Sequence, residues 1–386
     1  MQQEQDEIMA SGRFLNYKFY LRQRPVILTL MTALAIACFV GVTGLSRAYQ
    51  EQRDFLGNRW FNRGVADLKA QHYDAAVTEF RAALLYSRDN YSYQLNLAEA
   101  LIGAGHMGEA SAYLLNLWDR EPEDGLVNLE LARIAKERGQ AGEAVRYYHG
   151  AVYAEWPSDQ ENMRRQARLE LIQLLLETNA KPQAQAELIA LSENVGADPA
   201  QQEQVGQLFL RAGDYEHALA AFEISLKTDR HNAEALAGAG ESAFELQRFG
   251  IAKHYLEEAI AENPKDVHSE DNLKTAELVL HMDPFQREIS AAERNRMVVD
   301  AFETAGKRLE SCAIPTSPGG PPNSLSESWN SMKPQITERG LQRDPDLADS
   351  AMDLVFRIER QANVQCSAPT GADQALVLIA KLHEGY

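Results

Sequence analysis

Between residues 57 and 266 the same pattern of residue sizes returns every 34 residues, and no other feature restricts the fold of this chain as much. The first unit carries Trp60, Gly64, Tyr73, Ala76, Phe80 and Ala83, and the second carries Ala98, Leu101, Gly105, Ala110, Leu114 and Pro122. Ala132, Gly139, Ala144, Tyr148 and Ala151 mark a third. After an insertion at 159–164 a more diverged unit shows Leu171, Leu175, Ala184 and Leu188. Gly206, Phe209, Gly213, Tyr215, Ala218 and Phe222 form the fifth, and Gly240, Ala243, Phe249, Ala252, Leu256, Ala259 and Pro264 the sixth. Such a short segment cannot bury a core alone, so units repeated in this way must stack on one another.

The pattern resembles the tetratricopeptide repeat over slightly more than half of the chain. The resemblance implies an all-α fold, a right-handed α-solenoid of about six helix pairs at 57–90, 91–124, 125–158, 165–198, 199–232 and 233–266. A capping helix at 267–282 would complete the solenoid, 57–282. In each pair, helices A and B run antiparallel across a tight turn. Small residues on A (Gly64, Ala98, Ala132, Gly206, Gly240) and early on B (Ala76, Ala110, Ala144, Ala218, Ala252) admit close backbone approach. Large residues later on B (Phe80, Leu114, Tyr148, Phe222, Leu256) reach toward the next unit. Gly105, Gly139 and Gly213 suit the left-handed conformation that ends a helix, and Pro122 and Pro264 stop helix B.

Ahead of the repeats, residues 26–45 form an uncharged apolar run of 20 residues. As a helix it spans about 30 Å, the thickness of a bilayer's hydrocarbon core. A signal peptide would have a shorter apolar region with a small-x-small cleavage site, which 42–48 does not offer. A mitochondrial transit peptide would lack acidic residues, yet Glu4, Asp6 and Glu7 are present. The expectation is a tail at 1–25, one uncleaved transmembrane helix at 26–45 and a connecting helix at 46–56. Arg13, Lys18, Arg22 and Arg24 precede the run and Arg47, Arg53 and Arg59 follow it, a bias of one charge toward a cytoplasmic N-terminus. Only four basic and three acidic residues precede the run, so the portion after it holds 34 Lys and Arg against 53 Asp and Glu. So acidic a surface argues against nucleic acid or anionic lipid as the main partner.

Beyond the repeats, 283–313 reads as a helix that opens with capping-box spacing at Ser290 and Glu293. A Pro/Gly-rich linker follows at 314–323, and 324–386 reads as a small helical cap folded back on the last repeats. Cys312 and Cys366 flank this linker and the helices after it. As the one pair in the soluble portion they are read as a disulfide, which requires an oxidising compartment such as a periplasm.

No catalytic constellation emerges: HExxH, CxxC, GxSxG and Walker patterns are all absent, so neither enzyme activity, metal nor cofactor is expected. Gly238-Ala239-Gly240 has no strand before it and no Lys-Ser/Thr ending, and packing explains it better than phosphate binding. The resemblance implies a concave face lined by helix A that binds protein or peptide segments. Carried over by register, this face comprises Leu95, Glu99 and Ile102; Leu129, Arg133 and Lys136; Leu169, Gln173 and Leu176; Glu203, Gln207 and Leu210; and Glu241 with Phe244. Family members that clamp a C-terminal carboxylate use Lys and Asn on helix A, where this chain has Phe61 and Val65. The expected role is a scaffold or adaptor in a bacterial inner membrane, with its repeats in the periplasm. A built-in subunit of a large membrane complex and a cytosol-facing receptor are the alternatives.

Overall fold

The structure is a computed structural model that describes residues 2–196, 198–287, 289–312, 324–366 and 368–383, with side chains from Leu28 onward. The linker at 314–323 and the side chains of the tail at 1–25 lie outside the described residues. Among the described residues all regular structure is helical, and the chain divides into two compact units, 1–167 and 168–386.

The first unit comprises α1 (Gln2–Lys69), α2 (Tyr73–Leu84), α3 (Tyr91–Gly103), α4 (Met107–Arg120), α5 (Gly125–Glu137) and α6 (Ala141–Tyr153). Each packs against the next along the chain. Tail, apolar run, connecting segment and first helix A are one continuous helix, where the sequence suggested separate elements. From Leu28 to Lys69 no proline interrupts the helix, whereas at the junction of tail and apolar run the helix continues through Pro25. Within α1 the apolar residues from Leu28 to Leu45 are solvent-exposed, Leu45 by 74%, and none of the other described residues covers them.

The second unit takes most of α7 (Glu161–Glu177), then α8 (Lys181–Val195), α9 (Pro199–Ala212), α10 (Tyr215–Thr228), α11 (Ala233–Glu245), α12 (Phe249–Glu262) and α13 (Val267–Met282). Among the described residues five helices follow: α14 (Ala291–Ser311), α15 (Ser324–Met332), α16 (Glu338–Arg343), α17 (Asp346–Gln365) and α18 (Ala372–His383).

Within each unit the helix ends repeat with the sequence. Helix A of each of the six pairs closes with a 6→1 backbone hydrogen bond, as from His106 N–H to Leu101 O or from Asp214 N–H to Phe209 O. The residue just before the donor takes positive φ: Gly105, Gly139 and Gly213, but also Gln71, Asn179 and Gln247. Helix A opens on Asn90, Asp124, Asp198, Asn232 or Asp266, whose side-chain oxygen accepts a backbone N–H in the first turn. Each such cap contributes about 1 kcal/mol. Four residues later, the buried amides of Gln94, Asn128 and Gln202 donate to the carbonyls of Arg88, Pro122 and Gly196, fixing the incoming turn.

Between helices, rings fill slots left by missing side chains. Phe222 is fully buried, and a Cβ added at Gly238 would lie 2.3 Å from its ring, one at Gly206 2.9 Å. One side chain thus packs against two successive A helices, α9 and α11. Gly64 receives Phe80 in the same way.

At the C-terminal end, α13 is not the partnerless capping helix its sequence suggested. Its partner is α18, the last helix of the chain, pinned by His383, whose Nε2 lies 2.9 Å from Asp283 Oδ1 and whose ring packs on Phe285. Helices α14 and α17 pack on each other beside them, and their buried faces share one core with Phe249, Ala276 and Val279 of the last repeats. Trp329 stacks on Phe302 with ring centroids 5.6 Å apart. A disulfide joins Cys312, at the end of α14, to Cys366, at the end of α17, with Cα atoms 6.0 Å apart.

Two outcomes follow for the full chain in detergent micelles. Phe222→Ala is expected to cost about 3–5 kcal/mol and Gly238→Ala about 1–3 kcal/mol, measured by denaturant unfolding. Replacing Cys312 and Cys366 by serine releases a loop of 54 residues. The expected loss is about 4 kcal/mol, read as a lower midpoint for the 289–383 region in proteolysis-coupled melting.

Candidate protein-binding surface

In the first unit the expected face lies on α3 and α5. Leu95 and Ile102 are half-buried and Glu99 reaches solvent, screened enough by protein that desolvation raises its pKa. Arg133 pairs with Glu130 at 2.7 Å, and Lys136 is half-buried one turn further on. Leu129 does not belong to this surface, because it is 0% exposed in the core. The register assigned it to the open face, whereas in the assembled pair α5 turns it inward, onto the side that it shares with the buried Leu131, Ala132 and Ala135 of the same helix.

In the second unit, Leu169, Leu176 and Leu210 are half-buried at the margin of the core, while Gln173 is exposed. Phe244 packs edge-on against Phe249 at 5.5 Å and touches the C-terminal core, so it is a junction between repeats and cap. Gln207 and Glu241 line a cleft of about 200 Å³ formed by α9, α11 and α13, together with Ala237, Glu234, Asp266 and His268.

The cleft is electronegative. Asn232 Nδ2 donates to Glu203 Oε2 at 2.7 Å, and Glu241 lies 3.6 Å from His268. Burial raises the pKa of Glu203; the Asn232 hydrogen bond opposes this, while the nearby Glu234 adds to it. Asp266 is held low by the Ser269 hydroxyl, which donates to it at 2.6 Å. Sequence register supplied Glu203, Gln207 and Glu241. It missed Asn232, Asp266 and His268, although an Asn or Asp heads each A helix of this unit from α9 onward at 34-residue spacing. No group of three or more His, Cys, Asp or Glu among the described residues is placed to hold a metal ion.

In a titration followed by carboxyl carbon chemical shifts, Glu203 is expected to ionise above the ordinary glutamate range and Asp266 below the ordinary aspartate range. Glu234→Gln removes a like charge and is expected to bring Glu203 down; an unchanged Glu203 would refute the coupling.

No curated protein matches the chain. Among solved structures, it is similar to YrrB, "a TPR protein with an unusual peptide-binding site", at 17% identity and a TM-score of 0.41, over 50% of this chain and 95% of that one. PilF of Pseudomonas aeruginosa is similar at 15% identity and TM-score 0.40, over 57% and 97%. PilW, a type IV pilus biogenesis factor, is similar at 16% and 0.38, over 57% and 97%. Family models for the tetratricopeptide repeat match residues 67–134 and 206–267, one in each compact unit. With helix pairs, turns and caps recurring at the same spacing, the chain carries tetratricopeptide repeats in both units.

Proposed function

We propose that this protein is a membrane-anchored scaffold whose A-helix faces hold segments of other proteins, without chemistry of its own. The observation that carries this reading is the acidic cleft of α9, α11 and α13, where the carboxylates of Glu234, Glu241 and Asp266 stand beside the apolar Ala233 and Ala237, with Glu203 adjacent to Glu234. Apolar contacts favour a side-chain anchor, and the carboxylates favour a segment bearing Lys or Arg beside it. Charge reversal at the rim acts chiefly on association rate and salt dependence.

Anchoring rests on α1. Among the described residues this is the one helix long and apolar enough to cross a membrane, and its apolar side chains are exposed from Leu28 to Leu45. Leaving them in water forgoes about 1.5–3 kcal/mol for each large side chain. The Cys312–Cys366 disulfide supports an oxidising compartment for the repeats, which corresponds to a bacterial inner-membrane protein with a cytoplasmic N-terminus and a periplasmic solenoid.

The test places a photo-crosslinking residue at Gln207, in the cleft, or at Lys227, at the end of α10, in the full chain within intact cells. Discrete protein adducts from position 207 and none from 227 are expected. Equal adducts from both, or none from either, would sink the proposal. One adduct of fixed stoichiometry that co-migrates with a large assembly identifies a built-in subunit instead of an exchangeable adaptor. Alkylation by an impermeant thiol reagent only after reduction reports the topology and the bond together.

A further inference from the structure

Glu359 lies on α17 with 0% of its surface exposed, inside the C-terminal core. Neither of its carboxylate oxygens receives a hydrogen bond from the described residues. Two charged groups act on it from the helices packed against α17: Arg308 on α14 and Asp373 on α18. These two face each other at 3.5 Å, so the arginine's charge is shared with Asp373, and what acts on Glu359 offsets its burial only in part. No charged group of α15 or α16, which also touch α17, contributes to its ionisation. The carboxyl therefore fits this core far better with its proton than without it.

We propose that Glu359 makes the C-terminal cap a proton-operated catch: protonated, it lets α17 pack against α14 and α18, and on ionisation α18 parts from α13. The disulfide determines which part moves. Cys312 and Cys366 tie the end of α14 to the end of α17, whereas α18 begins after the bridge and is held by packing, by the Arg308–Asp373 ion pair and by the His383–Asp283 contact, none of them covalent. Release of α18 bares Ala276 and Val279 of α13, an apolar end on the last repeat.

The sign follows from burial. Burial raises Glu359 from 4.5 to about 8, the charge of Asp373 adding to the rise and Arg308 opposing it. The closed cap keeps the proton over a range where a solvated carboxyl has lost it. Stability of the closed form is thus full below pH 4.5 and declines until about pH 8, then levels off.

Hydrogen exchange of the full chain in detergent micelles, corrected for intrinsic rates, measures the opening of α18 directly. Between pH 5.5 and 7.5 the opening equilibrium of 372–383 is expected to rise by up to about tenfold per pH unit in the native chain. Glu359→Gln, which keeps the shape and cannot ionise, is expected to be flat over the same range. It leaves the His383–Asp283 contact untouched, so a slope that survives in this variant has a source other than Glu359 and overturns the proposal. Asp373→Asn removes the repelling charge and is expected to end the slope at a lower pH. A native chain whose α18 protection ignores pH, or a loss spread equally over α11, would also overturn it.

Discussion

Everything in the repeat region depends on one kind of contact: a large ring on helix B seated where two backbones lack side chains. Phe222 is the clearest case, wedged against Gly206 of its own pair and Gly238 of the next. The contact works in both directions. The ring needs the glycines to enter, and α9 and α11 need the ring to fill the gap their close approach leaves. Since Phe222 serves its own pair and its neighbour, neither pair is complete alone, and stability there resides in the join between them. The helix caps and clamping amides add to this by fixing the turn that brings each new A helix in at the same angle.

Most of this architecture is legible in the sequence because its contacts are close along the chain. Gly64 and Phe80, or Gly206 and Phe222, lie in one unit and recur in the next, so spacing alone exposes them. The turns are only half legible. Gly105, Gly139 and Gly213 announce a left-handed residue, whereas Gln71, Asn179 and Gln247 adopt the same conformation with only their register to reveal it. Neighbouring hydrogen bonds, identical in all six turns, hold these residues in a conformation that L side chains visit reluctantly.

The C-terminal end was less legible for a different reason. The partner of α13 is separated from it by about ninety residues, and nothing in the local pattern of either helix names the other. Two cysteines flagged the neighbourhood but not the pairing of α13 with α18. On the A-helix face the register found Glu203, Gln207 and Glu241, yet it also selected Leu129, which belongs to the core. Register locates a position along a helix. Burial depends on what the neighbouring helix places opposite, and that is a property of the assembled pair.

The continuity of α1 has a mechanical consequence. From Leu45, the last residue of the apolar run, to Gly57, where the first repeat begins, the helix advances about 18 Å without a break, and it then packs directly on α2. With the run embedded in a bilayer, the first repeat is joined to it by a stiff strut and not by a tether. Tilt or rotation of the embedded segment is then carried into the first helix pair as torque, and the choice of lipid thickness becomes a setting for how the repeats are presented.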